Sequence, residues 1–367
     1  MIYLGGEIGK AKFGLRTKEV LMSALYVTSM GADVGKSSLC AGLGRKLQAE
    51  GRRVGFLKPV SANAGGTDRD AEYMKQILTL EEPVESLCLP SFKVKDLAAT
   101  VDEKETPWLK EIEEAYAEIS RGKDVVLLEG LGDFKAGSDT ARVSGRIVAA
   151  LKAKAILIVG YEHDLEVDQI VAAAKMMGDN LIGVVINAVP ERRMESVKAQ
   201  VAPSLEQSGI KVLGVLPEER ALLSVTVGEL AEHVGGSILN SQDRSNELVE
   251  SLMVGAMSID SALSYLTLKP NKAVITRGDR PDIQLAALET STKCLVLTGN
   301  IEPVPSILSH ALELEVPIVL VEGDTAGTME ALEGVFNKAR FHNEKKLERL
   351  GQILEQHLDL EAIYQAA

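Results

Sequence analysis

The sequence predicts an α/β protein in which a parallel sheet, covered by helices on both faces, is followed by a smaller α/β unit. Three observations carry this expectation. Strand-length runs of Val, Ile and Leu without polar alternation recur as far as Pro217, the pattern of strands buried on both faces. Longer stretches with helical spacing separate them, so strands and helices alternate as in βαβ units. The chain has 367 residues, and single cores stop growing at roughly 250–300 residues, so two domains are expected.

The first series of strands reads Ala24–Thr28, Val54–Leu57, Val125–Leu128, Ala155–Val159, Leu181–Ile186 and Val212–Val215. Between them the helical stretches are Lys36–Glu50, Trp108–Arg121, Ala141–Lys152, Asp168–Met177 and Met194–Ser208. A short polar connection, Glu218–Leu222, leads into the second series. There Val227–Asn240 joins a helix to a brief strand, and the later strands are Ala273–Thr276, Cys294–Thr298 and Ile318–Val321. Helices Ile283–Glu289 and Val304–Leu314 complete a second βαβ series. The tail, Asn343–Gln365, is rich in Leu, Glu and Lys and reads as a terminal helix, solvated except for one apolar stripe. The expected organisation is an extension over 1–21, a first domain over 22–217, a second over 222–340 and a C-terminal helix over 341–367.

Composition narrows the function classes. Apolar residues at 46% and charged residues at 25% suit globular domains. Aromatics at 4% and a net charge of −13 oppose the stacking faces and basic grooves that nucleic acid requires, so no nucleic-acid partner is expected. Cys40, Cys88 and Cys294 are far apart, which indicates neither a zinc site nor a disulfide framework and suits a reducing compartment. No apolar run reaches the roughly 18 residues of a membrane helix, and the first 21 residues lack a signal peptide's apolar block. A cytoplasmic protein without a membrane partner is expected.

The strongest local signal is Ser29-Met30-Gly31-Ala32-Asp33-Val34-Gly35-Lys36-Ser37-Ser38, between a buried strand and a helix. This is the setting of a P-loop, in which backbone amides and a helix N-terminus point at phosphate oxygens and a lysine neutralises them. Gly31, Asp33, Val34, Gly35, Lys36, Ser37 and Ser38 are the candidate nucleotide-binding residues, with Ser37 a magnesium ligand. The usual spacing places glycine at position 30, where this chain has Met30. Lys58-Pro59-Val60 closes the second strand, bringing a second cation to the carboxyl edge, where open α/β sheets bind ligands. Asp68 and Asp70 follow, and Glu129 ends the strand Val125–Leu128. Magnesium favours one or two carboxylates beside phosphate oxygens and water, which makes one of these two aspartates and Glu129 its candidate partners. Asn187 offers an amide donor and acceptor to a purine edge.

In order, these segments resemble dethiobiotin synthetase and its relatives. The resemblance runs through the loop Gly31–Ser37, Lys58-Pro59-Val60, Asp70-Ala71, Val126-Leu127-Leu128-Glu129-Gly130, Ser138-Asp139, Ile182-Gly183-Val184-Val185-Ile186-Asn187 and Leu213-Gly214-Val215-Leu216-Pro217. It implies a P-loop NTPase domain that uses ATP and Mg2+. Lys36 and Lys58 would face the phosphates, Ser37, Asp70 and Glu129 the metal, and Asn187 the adenine, with Pro217 closing the same edge. The synthetase's Thr-Ser-Pro-His stretch corresponds here to Leu89–Val94, which has no histidine, and one of its glycines corresponds to Asp133. These departures weigh against dethiobiotin synthesis itself.

Residues from about Leu222 to Phe336 resemble a DRTGG domain through Met253–Ser258, Thr276–Asp282 and Leu297–Asn300. The two modules together are similar to the N-terminal region of long bacterial phosphate acetyltransferases, with no transferase domain expected. The second series also ends in small and polar residues at its strand tips: Arg277, Asp279 and Arg280, then Asn300, then Asp324. Two arginines could grip a phosphate or carboxylate there, while Asp279 and Asp324 could equally be helix caps. The resemblance implies regulation by a small ligand or a protein partner, and a dimer contact. The leading expectation is therefore a magnesium-ATP-binding regulator or slow ATPase linked to acyl-phosphate or acetyl-phosphate metabolism. The alternative is an ATP-dependent carboxylase or amide ligase of the dethiobiotin or cobyrinate synthetase type.

Overall fold

The computed structural model describes residues 23–61, 68–89, 92–104, 106–162, 165–336 and 344–366, so the expected extension lies outside the described residues. The first sheet contains β1 (Ser23–Ser29), β2 (Val54–Leu57), β3 (Val125–Glu129), β4 (Lys154–Gly160), β5 (Leu181–Val189) and β6 (Val212–Pro217). Their order is β2-β3-β1-β4-β5-β6, with every pairing parallel. All six stand where the apolar runs place them, because a strand buried on both faces has no polar phase to blur its ends.

Central β1 feeds helix α1 (Lys36–Ala49), which buries Leu39, Cys40, Leu43 and Leu47 on the sheet. Between β2 and β3 the sequence reading missed the helices Arg69–Ile77, Val84–Leu87 and Val94–Ala99, the last two too short to display an apolar stripe. The expected helix Met194–Ser208 is interrupted, running as Glu191–Ser196, a π turn over Val197–Val201 and Ala202–Gln207. Pro203, which has no N–H to donate, stands just after the widened turn.

The second sheet has the order β10-β11-β12-β13-β8, from β8 (Ser237–Ile238), β10 (Ser251–Val254), β11 (Lys272–Arg277), β12 (Thr292–Thr298) and β13 (Ile318–Leu320). Its first four strands are parallel and β8 is an antiparallel edge. Two short strands, β7 (Val225–Thr226) and β9 (Leu248–Val249), pair antiparallel beside it.

The tail departs from expectation. It is two helices, Glu344–His357 and Leu360–Ala366, where one was expected, although the apolar stripe is packed as the sequence implies. Leu347, Leu350, Ile353, Leu354 and Ile363 are buried in the same core as the first sheet. Leu358 bridges to Gly214, Asp359 donates its N–H to the Leu213 carbonyl at 2.7 Å, and the Asp359 carboxylate caps the second helix at the Ala362 N–H. The apolar stripe was legible, but the surface it covers lies more than 300 residues away in α1. Leu354 is fully buried, so Leu354→Ala is expected to destabilise the fold by about 2–5 kcal/mol through lost burial and a residual cavity. Urea denaturation checks this, and an unchanged midpoint would show that the tail is not part of the core.

Candidate functional site

Because β1 lies between β3 and β4, the chain leaving Ser29 turns over the carboxyl edge before entering α1. The turn is tied on both sides: Met30 donates its N–H to the Ile158 carbonyl at 2.9 Å, and Phe134 donates to the Ser29 carbonyl at 2.8 Å. A backbone tie to β4 thus replaces the conformational freedom that glycine at position 30 would have. Gly35 supplies the reversal, with φ at 96°, a left-handed value that favours glycine. It is constrained a second time, because a Cβ there would lie 2.7 Å from Asn187 Nδ2. That amide donates to the Val34 carbonyl at 2.9 Å, so Asn187 pins the loop from the tip of β5. Gly35→Ala is expected to cost about 1–3 kcal/mol from backbone strain and the clash. Chemical denaturation measures it, and a neutral result would mean that the turn is not held in this conformation.

Lys36 curls into its own loop, donating to the Ala32 carbonyl at 2.6 Å and to Ser29 Oγ at 3.2 Å. Burial lowers its pKa, opposed by Glu129 and Asp33. Ser37 Oγ donates to Glu129 Oε1 at 2.9 Å. Glu129 is 3% exposed, and burial raises its pKa against the pull of Lys58. Its second oxygen, Oε2, is buried without a hydrogen-bond partner. Lys58 Nζ lies 2.9 Å from Asp68 Oδ2, 3.1 Å from Asp70 Oδ2 and 3.9 Å from Glu129 Oε1. Burial alone would lower the Lys58 pKa, but Glu129, Asp70 and Asp68 outweigh it and hold the ammonium firmly protonated.

The edge therefore gathers Lys36, Ser37, Lys58, Asp70 and Glu129 into one cluster, with Asn187 above the loop. Gly31, exposed Asp33 and Ser38 belong to the loop and the start of α1. Pro217 closes β6 opposite Val189, one strand further out. Asp68 entered sequence reasoning only as an alternative to Asp70 beside the metal. It is nearly buried, donates nothing, and accepts from Lys58, from Ser61 Oγ and from the amides of Asp70 and Ala71 at the start of the helix Arg69–Ile77. The available signal was an aspartate one residue ahead of a helical stretch, which marks a cap. Asp133, where the resemblance has a glycine, takes a left-handed φ of 52°.

The donor set suits magnesium. A buried carboxylate oxygen without a donor, beside a serine hydroxyl, supplies hard oxygen ligands to an ion that also takes phosphate oxygens and water. Among the described residues no group of three or more His, Cys, Asp or Glu side chains could cage a metal unaided.

In the second sheet the tips converge: Asn300, at φ 52°, donates its N–H to the Val321 carbonyl, and Gly299 donates to the Gly323 carbonyl. The arginines, however, are already engaged. Arg277 forms a two-pronged pair with Asp279 at 2.9 and 3.0 Å. Arg280 pairs likewise with Asp282 and also donates to the Met257 carbonyl. Asp279 caps no helix, since Arg280 holds the position before Pro281–Leu288. Asp324 does act at a helix start, accepting from the Gly327 N–H at 2.8 Å.

Residues 23–226 match the family described as AAA domain, and residues 229–335 match the DRTGG domain. The phosphate acetyltransferase of Nitrosomonas europaea is 25% identical, the match covering 93% of this chain and 51% of that protein. That of Pseudomonas aeruginosa is also 25% identical, covering 94% of this chain and 52% of the relative. The chain spans about half the length of the curated relatives it matches. A solved structure of the CBS and DRTGG domains of the Clostridium perfringens pyrophosphatase regulatory region, complexed with diadenosine tetraphosphate, is 13% identical. It covers 40% of this chain and 72% of that one at a TM-score of 0.28, a likeness too slight to bear on mechanism. Among the described residues no helix is long and apolar enough to cross a membrane. With the first match spanning more than half of its residues, the chain belongs to the AAA-domain family, its P-loop domain followed by a DRTGG domain.

Proposed function

We propose that the first domain binds ATP with magnesium and that the protein is a nucleotide-dependent cytoplasmic regulator with slow ATPase activity, connected to acetyl-phosphate metabolism through its kinship with phosphate acetyltransferases. The observation that carries this reading is the buried, unpartnered Glu129 Oε2, on a carboxylate whose other oxygen accepts from Ser37 and lies 3.9 Å from Lys58 Nζ. Lys36 would exchange the Ala32 carbonyl for phosphate oxygens, and the first amides of α1 would complete the anion cradle. Ser37 and Glu129 would hold magnesium, with Asp70 supporting it and Lys58 presenting a second cation that Asp68 keeps oriented. Magnesium, when bound, neutralises polyphosphate charge and so strengthens every other contact in the cradle. Asn187 keeps one amide hydrogen and its carbonyl oxygen for the adenine edge while pinning the loop.

The edge formed by Arg277, Asp279, Arg280, Asn300 and Asp324 would take an anionic ligand that displaces Asp279 and Asp282 from their arginines. Self-association is supported by apolar side chains left exposed on the outer helices of the second domain, among them Ile259, Leu263, Leu285 and Leu312. Calorimetric titration with ATP, with magnesium and then with a chelator, tests the central reading. Binding is expected to be at least about tenfold tighter with magnesium, the equivalent of 1.4 kcal/mol. No ATP binding, or binding indifferent to the metal, would overturn it.

A further inference from the structure

The structure assigns a coupling role to the helix Glu344–His357: it is the strut through which movement of the P-loop helix reaches the second domain. The helix lies outside both family matches, which end at residues 226 and 335. Its C-terminal half packs on α1. Gly42 of α1 is so close that a Cβ there would lie 2.5 Å from Leu354 and 2.9 Å from Leu350. Lys46 of α1 forms an ion pair with Glu355. Gly42 is six residues from Lys36, less than two helical turns from the phosphate cradle.

The N-terminal half faces the junction and the second domain. Arg349 Nε donates to Glu219 Oε2 at 2.7 Å, just before the helix Arg220–Leu223. Lys346, almost fully buried, donates to the Ser224 carbonyl at 2.6 Å, immediately ahead of β7. Lys345 lies 3.1 Å from Glu247, and Glu247 lies 3.1 Å from Lys293 on β12, the middle strand of the second sheet. Although burial opposes it, these two lysines hold the Glu247 carboxyl below its usual range. One rod of 14 residues, ~21 Å long, thus touches the P-loop helix at one end and a path to the centre of the second sheet at the other.

Close packing is what makes such a rod a transmitter. Without clearance at Gly42, a displacement of α1 cannot be absorbed locally and must move Leu350 and Leu354 with it. The ion pairs at the far end are partly exposed and contribute little stability. Their effect is to fix the register between rod and second domain. The trigger of this coupling rests on the nucleotide reading above, whereas the strut can be tested without it.

Amide hydrogen exchange on the full chain provides the test. Gly42→Ala inserts a methyl group between α1 and the strut. It is expected to accelerate exchange in residues 219–249 and in β12 by about fivefold or more without nucleotide, the lower end of typical coupling. Glu247→Gln breaks the bridge between Lys345 and Lys293. It should abolish the change that magnesium-ATP causes across residues 229–335, with ATP affinity by calorimetry within about twofold of the parent. Parental exchange in a cooperatively melting Gly42→Ala, or an undiminished nucleotide effect in Glu247→Gln, would overturn the strut. If the parent fails to bind ATP, the calorimetry rejects the nucleotide reading and the Gly42→Ala result still decides the strut.

Discussion

Lys36→Ala is expected to weaken ATP binding by about 10–100-fold, since a hydrogen bond to a charged group contributes roughly 1.5–3 kcal/mol and 1.4 kcal/mol is a factor of ten. The effect on folding should be small. Lys36 makes two short-range bonds inside its own loop and supports no core side chain. Burial already lowers its pKa, so the fold gives up some solvation to keep an ammonium here. Calorimetric titration beside a thermal melt separates the two effects. Parental ATP affinity in a folded variant would remove the phosphate cradle from the account.

Glu129→Gln is expected to abolish most of the magnesium dependence of ATP binding, with a loss on the order of tenfold or more, and to leave the protein as stable as the parent or more so. Both halves follow from burial. The carboxylate is 3% exposed with one oxygen unpartnered, so the amide removes the charged ligand and also the cost of keeping that charge out of water. The pH dependence carries a definite sign. Burial raises the Glu129 pKa in the folded state, so the folded state binds the proton more tightly and its stability falls as pH rises above the ordinary value of 4.5. The advantage of Glu129→Gln should thus be present near neutrality and vanish below that value. Asp70→Asn should act in the same direction more weakly, because Asp70 is 39% exposed and shares Lys58 with Asp68. Metal titrations and melts from pH 4 to 8 decide the matter. A Glu129→Gln variant with unchanged magnesium response would mean that the metal, if bound, is held elsewhere.

The first sheet was legible because its information is local. Apolar runs locate the six strands, the spacing of glycines, lysine and serine after β1 locates the loop, and single charged residues at strand ends locate the edge. Topology then places Lys36, Lys58 and Glu129 together without further information, since adjacent parallel strands bring their carboxyl ends to one side. The short helices between β2 and β3 were not legible, and neither was the part Asp68 plays, which comes from partners at Lys58 and Ser61 that no spacing rule reveals.

What the sequence by itself determined is therefore the fold class, the order of the two modules and the charged residues gathered at the edge beside the loop, written in unbroken apolar runs, in patterns of period 3.6 or within a single loop. Tertiary structure alone decided which charges are free and which are matched. Arg277 and Arg280 read as open anion donors until Asp279 and Asp282 are seen closing on them, whereas Glu129 Oε2 reads as one more acid until its burial leaves it without a donor. It also decided where the tail belongs. A helix with one apolar stripe states that it must be covered but not by what, and the cover, Gly42 in α1, is far away in sequence and close only because both pack on the same sheet.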